Sequence, residues 1–113
     1  MSLEGADLTC TKLTGADLSG ANLEPVWLMD ADLTETNLED ANLSGSSLEG
    51  VNLNNALIAQ TRFVVTQFGA TNHSGVDFST TDMYGANFSE ANLENANFSD
   101  ADQQGWNKLP ISR

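Results

Sequence analysis

Large apolar residues recur at every fifth position along most of the chain. From position 3 to position 98, nineteen of twenty such positions hold Leu, Ile, Met or Phe, and the exception is His73. From Leu8 onward, a small residue, never larger than Val, lies two positions before each of them. The repeated positions are Leu3, Leu8, Leu13, Leu18, Leu23, Leu28, Leu33, Leu38, Leu43, Leu48, Leu53, Ile58, Phe63, Phe68, His73, Phe78, Met83, Phe88, Leu93 and Phe98.

A period of five fits neither an α-helix, which repeats every 3.6 residues, nor an isolated β-strand, which repeats every two. Within each unit a small residue and a large residue point inward around one polar residue, and two outward residues follow. This order predicts a short extended side and then a corner, and most of the glycines fall at the corner, where turns often need a positive φ. The chain must therefore coil, with backbone N–H and C=O groups pairing between successive coils.

The segments GADLSGANLE, EDANLSG and SEANLENANF follow the pattern A(D/N)LXX. Over about residues 3–103 the chain therefore resembles the pentapeptide repeat family. The resemblance implies an all-β fold, a right-handed quadrilateral β-helix with four pentapeptides per turn, which here gives about five coils of 20 residues. We predict that residues 1–103 form this solenoid. Residues 104–113, where Trp106 leaves the repeat, are predicted to form a short C-terminal cap or tail.

Charge and composition narrow the range of partners. Sixteen Asp and Glu residues against four Lys and Arg give a formal net charge of −12, which disfavours direct binding to nucleic acid or to an anionic membrane. No apolar run approaches the roughly 18 residues of a membrane span, and the start MSLEGADL lacks the features of a signal peptide. We expect a soluble cytoplasmic protein. Since the family also occurs in the thylakoid lumen, a processed lumenal form is the alternative.

Candidate chemistry is sparse. All the carboxylates fall at outward positions, Cys10 is the only cysteine, and His73 is the only histidine. One histidine cannot build a His-based metal site within a chain, and here it replaces a core residue, so we interpret it as a buried or half-buried structural imidazole rather than a catalytic or pH-sensing one. The glycines never cluster as a phosphate-binding loop. We therefore predict no catalytic, cofactor-binding or metal-binding residues and no enzymatic activity.

Outward apolar residues are the candidates for contact with a protein partner, because aromatic residues and Met are enriched in the cores of interfaces. Scattered exposed apolar residues are also common on monomers. The candidate partner-binding residues are Trp27, Met29, Val64, Val65 and Tyr84.

One side of the predicted rod carries acids and no basic residue, namely Asp17, Glu39, Asp40, Asp77 and Asp100. The leading hypothesis is a non-enzymatic protein-interaction scaffold whose flat acidic and polar faces bind a protein partner of unknown identity. Some members of the family resemble duplex DNA in shape and charge and bind DNA gyrase. The alternative is therefore a DNA-shape mimic that binds the basic groove of a topoisomerase such as gyrase. The N-terminal coil has no predicted cap, and an open edge of this kind favours pairing, so a homodimer through this coil is also considered.

Overall fold

The computed structural model describes residues 2–71, 76–88, 90–92 and 96–97. Within these ranges the chain has no helix and no strand longer than a single bridged residue. Every bridge is parallel and joins two residues 20 apart, and from Ser2 to Ser47 the bridges begin at five-residue intervals. Further bridges begin at Arg62, Gln67 and Asp77, whereas Leu57 and Asp77 are not bridged to each other. One coil therefore has 20 residues, or four pentapeptides, as the resemblance implies. The first four bridges are Ser2–Asn22, Asp7–Trp27, Lys12–Asp32 and Asp17–Asn37.

Each bridge is made by a pair of backbone hydrogen bonds between coils. At Trp27, the N–H donates to the Ala6 carbonyl over 3.0 Å, and the Trp27 carbonyl accepts from the Leu8 N–H over 2.7 Å. The same pair of bonds recurs along most of the described sides, but it is absent between Leu57 and Asp77, where neither the Ile58 N–H nor the Asp77 N–H donates to a described residue. Because these backbone groups are satisfied by the neighbouring coil, each coil depends on contact with the next for its stability.

Most of the described corners are four-residue turns with a left-handed residue at the third position; the corners at Pro25 and Thr80 lack the positive φ. In the first corner, the Ala6 N–H donates to the Leu3 carbonyl over 3.0 Å, and Gly5 has a φ of 77°. A positive φ at the third residue is the signature of a type II turn, which explains why glycine is frequent there. The same conformation occurs at the non-glycine corner residues Cys10, Asp30, Glu35, Asp40, Asn55, Gln60, Val65, Ala70 and Glu90.

Asp or Asn precedes most of the large residues because its side chain caps the corner that follows. The Asp17 carboxylate accepts a hydrogen bond from the Ser19 N–H over 3.0 Å, and the Asn37 side chain accepts one from the Glu39 N–H over 3.0 Å. These Asx-type bonds satisfy a backbone donor that the turn leaves open. Equivalent bonds are made by Asp7, Asn22, Asp32, Asn42, Asn52, Asp77 and Asp82.

The core changes from leucine to phenylalanine along the rod. Leucines fill the interior up to Leu53, and four buried phenylalanines follow. The rings of Phe68 and Phe88, one coil apart, are stacked with their centroids 4.6 Å apart, and Phe63 meets Phe68 edge-on at 4.9 Å. These are favourable arrangements for aromatic pairs. Leu93, Phe98, His73 and the predicted cap over 104–113 lie outside the described residues.

Threonine suits the small inward position because its hydroxyl finds a backbone acceptor. The Thr61 hydroxyl donates to the Leu38 carbonyl over 2.7 Å, and the Thr66 hydroxyl donates to the Leu43 carbonyl over 3.0 Å. Both residues are fully buried. The hydroxyls add side-chain hydrogen bonds between coils to those of the backbone, so this polar residue is accommodated in the interior.

Candidate partner-binding surface

Three of the predicted partner-binding residues come together on one side of the rod. Val64 and Tyr84 are 20 residues apart and so lie on successive coils, and the Val65 N–H donates to the Tyr84 carbonyl over 2.7 Å. Val65 and Tyr84 are 50% and 51% exposed, whereas Val64 is half-buried. We call Val64, Val65 and Tyr84 the Val–Tyr patch.

Val65 combines its exposure with an unusual backbone. It is the corner residue of its unit and has a φ of 56°, a conformation that is a genuine outlier for a β-branched residue. Its Cγ2 atom packs against Gly85, where an added Cβ would lie 3.4 Å away. Glycine or asparagine would fit the corner with less strain. The fold alone therefore gives little reason for a valine at this position.

The other two predicted residues form a separate group. Trp27 is 41% exposed, and its backbone bridges those of Asp7 and Ser47 on the coils before and after it. Met29 is half-buried two residues later. The 20-residue register places both residues on the side next to the Val–Tyr patch, two coils before Val64. The predicted set is thus two groups and not one surface.

The predicted acidic face is less continuous than its sequence suggests. Asp17 is bridged to Asn37 and Asn37 is bridged to Leu57, so a neutral residue and an apolar residue follow the first carboxylate along this side. Hydrogen bonds from the Ser19 hydroxyl and N–H lower the pKa of Asp17, and the corresponding bonds from Ser79 lower the pKa of Asp77. Both carboxylates therefore stay ionised at neutral pH while they cap their corners. Glu39 is half-buried and Asp40 is an exposed corner residue, and Asp100 lies outside the described residues.

A groove on this same side is a feature that the sequence prediction did not select. It has a volume of about 290 Å³ and lies around Leu57, which is 52% exposed. We call it the Leu57 groove. The signal in the sequence is a leucine at the position usually held by Asp or Asn, followed two residues later by alanine. The groove is lined by Glu39, Ala56, Leu57, Ile58, Ala59, Asp77, Ser79 and Thr80.

A second groove of about 250 Å³ lies on the opposite side, where Gly69 replaces a larger outward residue. Glu49 and Glu90 flank it, with Ala70 and Asn87. Like the Leu57 groove it is lined by two carboxylates, but it has no large exposed apolar side chain in its lining.

Among the described residues, no three His, Cys, Asp or Glu side chains are grouped as a metal ion would require. The thiol of Cys10 is free and exposed at a corner. Over the same part of the chain, no helix has the length and apolar character that crossing a bilayer demands.

Comparison with known sequences agrees with the repeat geometry. The sequence profile described as pentapeptide repeats matches residues 1–24, 28–63 and 61–100, with eight copies. The chain belongs to the pentapeptide repeat family. Pentapeptide repeat proteins form β-helices and are generally non-enzymatic structural or interaction proteins. A comparison with curated proteins gave no significant match.

Solved structures place this pentapeptide repeat protein beside others of the family. HetL, a pentapeptide repeat protein involved in heterocyst differentiation regulation from the cyanobacterium Nostoc sp. strain PCC 7120, is 25% identical with a TM-score of 0.70. The match covers 93% of this chain and 52% of HetL, so the chain spans about half the length of that relative.

Two further similar structures are Rfr23 from the cyanobacterium Cyanothece 51142 and a protein from the thylakoid lumen of Arabidopsis thaliana. Each is 19% identical, with TM-scores of 0.47 and 0.46. They cover 98% and 97% of this chain, and the matches span 86% and 70% of the two relatives.

Proposed function

We propose that this pentapeptide repeat protein is a non-enzymatic scaffold that binds a protein partner through its flat polar and acidic faces, with the Val–Tyr patch as an anchor. In this proposal the rod is a right-handed quadrilateral β-helix of about five coils. The observation that carries the proposal is Val65, an exposed β-branched residue held in a left-handed conformation beside the exposed Tyr84. Strained residues of this kind are concentrated at binding and active sites.

The chemistry of the patch suits a protein surface. Tyrosine is among the residues that contribute most to binding, because its ring is large and rigid and its hydroxyl can form a hydrogen bond. Val64 and Val65 give an apolar floor beside the ring, and the backbone bond from Val65 to the Tyr84 carbonyl keeps the two corners in register. Three residues form a small anchor, so the surrounding polar face must supply most of the remaining contact area.

Affinity capture from the source cell tests this proposal. The wild-type rod is compared with Tyr84→Ala and Val65→Asn, and Glu90→Gln serves as the control because Glu90 is exposed and lies on a different side. We expect a specific partner to be captured by the wild type and the control and to be depleted by about tenfold or more with Tyr84→Ala, the loss typical of an interface hot spot. A Trp27→Ala variant tests whether the second apolar group takes part. Equal capture by all variants would contradict the patch as an anchor.

A second candidate is mimicry of duplex DNA toward a basic groove, such as that of DNA gyrase. The net charge of −12 and a cross-section of 22 × 20 Å, comparable in width to a DNA duplex, favour this function. A supercoiling assay with purified gyrase tests it, and inhibition should weaken as salt rises because the attraction is electrostatic. The absence of any effect at micromolar rod would remove this candidate.

Two narrower proposals concern assembly and location. Leu3, Leu8 and Leu13 of the first coil are only partly buried, which supports a homodimer through that coil, and sedimentation analysis over a range of concentrations tests it. We place the protein in the cytoplasm, with the thylakoid lumen as the alternative, and fractionation of the source cell distinguishes the two.

A further inference from the structure

The Leu57 groove begins with a leucine at a capping position. Asn37 one coil earlier and Asp77 one coil later each accept a hydrogen bond from the N–H two residues after them. Leu57 has no side-chain oxygen, and no described residue accepts a hydrogen bond from the Ala59 N–H. The Ala59 carbonyl, by contrast, accepts from the Asp40 N–H over 3.0 Å. The groove therefore exposes a large apolar side chain together with an unused backbone donor.

The groove lies where the pairing of two successive coils is interrupted, since Leu57 and Asp77 are not bridged and the Gln60 N–H donates to the Thr80 hydroxyl over 3.0 Å. Glu39 and Asp77 line the groove on either side of Leu57. The Asp77 carboxylate accepts from the Ser79 N–H over 2.9 Å through one oxygen, which leaves its second oxygen for another donor. An apolar wall, two carboxylates and the Ala59 N–H thus border the same space.

We infer that the Leu57 groove binds an arginine or lysine side chain on an extended segment of the protein partner. The methylene groups of that side chain pack on Leu57 while its cationic end reaches Glu39 and Asp77, as long basic side chains do on mixed surfaces. A backbone carbonyl of the segment accepts a hydrogen bond from the Ala59 N–H. The inference rests on the proposed scaffold function and adds the chemical class of the partner.

Charge complementarity decides between occupants. A purely apolar segment would cover two carboxylates without offering them a partner, which is costly. An acidic or nucleic-acid ligand would be repelled by the same carboxylates and by the net charge of −12. A basic side chain on a peptide satisfies the carboxylates, the apolar wall and the free N–H together. The second groove, around Gly69, has carboxylates but no residue equivalent to Leu57, and it is therefore a natural comparison.

The test is titration of the isotope-labelled full chain with the acetylated and amidated peptide Gly-Leu-Arg-Leu-Gly, followed by amide chemical shifts. We expect saturable shifts centred on Ala59, and about tenfold weaker binding for Gly-Leu-Gln-Leu-Gly, since two exposed ion pairs are lost. The double variant Glu39→Gln with Asp77→Asn should weaken binding of the arginine peptide to a similar extent. Asn at position 77 still provides an oxygen to cap Ser79, so this variant keeps the corner.

Two comparisons make the outcome specific. Leu57→Asn removes the apolar wall and supplies an oxygen for the Ala59 N–H, so it should abolish the shifts without harming the fold. Glu49→Gln with Glu90→Gln removes the same number of charges at the second groove and should leave the affinity within about twofold. Equal weakening by both charge variants, or equal binding of acetyl-arginine amide, would show attraction of a cation only and would overturn the inference. Loss of peptide binding at the groove, with partner capture still dependent on Tyr84, would overturn the inference and leave the scaffold proposal standing.

Discussion

Replacing Val65 by asparagine should stabilise the rod, although it removes an apolar side chain. A left-handed backbone costs an L-residue with a Cβ about 1–2 kcal/mol, and Asn is among the residues that tolerate this region best. Val65 is 50% exposed, so half-burial of its two methyl groups contributes about 0.8 kcal/mol. Taking about 1.5 kcal/mol for the relieved strain, we expect the free energy of unfolding to rise by about 0.7 kcal/mol.

Thermal and urea unfolding followed by circular dichroism would measure this change, which corresponds to an increase in Tm of about 3 °C for a chain of this size. Val64→Asn is the matched control, since it is the same substitution one residue earlier at a half-buried position that is not left-handed. It should lower the free energy of unfolding by about 1 kcal/mol. If both variants lower the stability equally, Val65 is not strained and the argument that its backbone marks a binding surface fails.

Three further predictions follow from the turns and the small inward positions. Thr61→Val should lower the free energy of unfolding by about 1 kcal/mol, because the bond from the Thr61 hydroxyl to the Leu38 carbonyl is lost; urea unfolding would measure it, and an unchanged midpoint would contradict it. Gly50→Ala should lower the Tm more than Gly45→Ala does. Both corners are left-handed, but only at Gly50 does the new Cβ meet a neighbouring group, the Asp30 carboxylate on the preceding coil. Equal losses of Tm would refute this prediction. Asp17→Asn should make the loss of stability on acidification below about pH 4 less steep. Hydrogen bonds from the Ser19 hydroxyl and N–H lower the pKa of Asp17, so the contribution of its carboxylate is complete above the unfolded pKa and is lost as the pH falls through the lowered folded pKa; an identical acid transition would count against it.

The period of five in the sequence identified the inward positions, and the resemblance to pentapeptide repeat proteins supplied the four-sided coil and with it the 20-residue register. Every bridge between described residues joins positions 20 apart, for example Asn42 with Arg62 and Arg62 with Asp82. The positive φ at corners was expected for glycine. Its extension to residues such as Val65 was not foreseen, because most corners of the coil are left-handed whichever residue occupies them, with Pro25 and Thr80 as exceptions.

The candidate surfaces could be predicted only in part. Exposure of Tyr84 and its position beside Val64 follow from the repeat, since outward positions are known once the register is known. The groove at Leu57 lies where the backbone pairing between Leu57 and Asp77 is interrupted. A pattern of inward and outward positions does not indicate where the pairing between coils is interrupted, so the groove could not be predicted from the sequence.

The 20-residue register also determines how such a protein can change in length. Inserting one whole coil would lengthen the rod and deleting one would shorten it, and in both cases every later side chain would stay on its original side. Inserting or deleting a single pentapeptide would keep the inward residues inward but turn every later surface residue onto the next side. Variation in steps of five would thus separate Val65 from Tyr84, or Leu57 from Asp77, if it fell between them, without disturbing the core. Lengths that differ by multiples of 20 are therefore the ones that would preserve a binding surface spread over several coils.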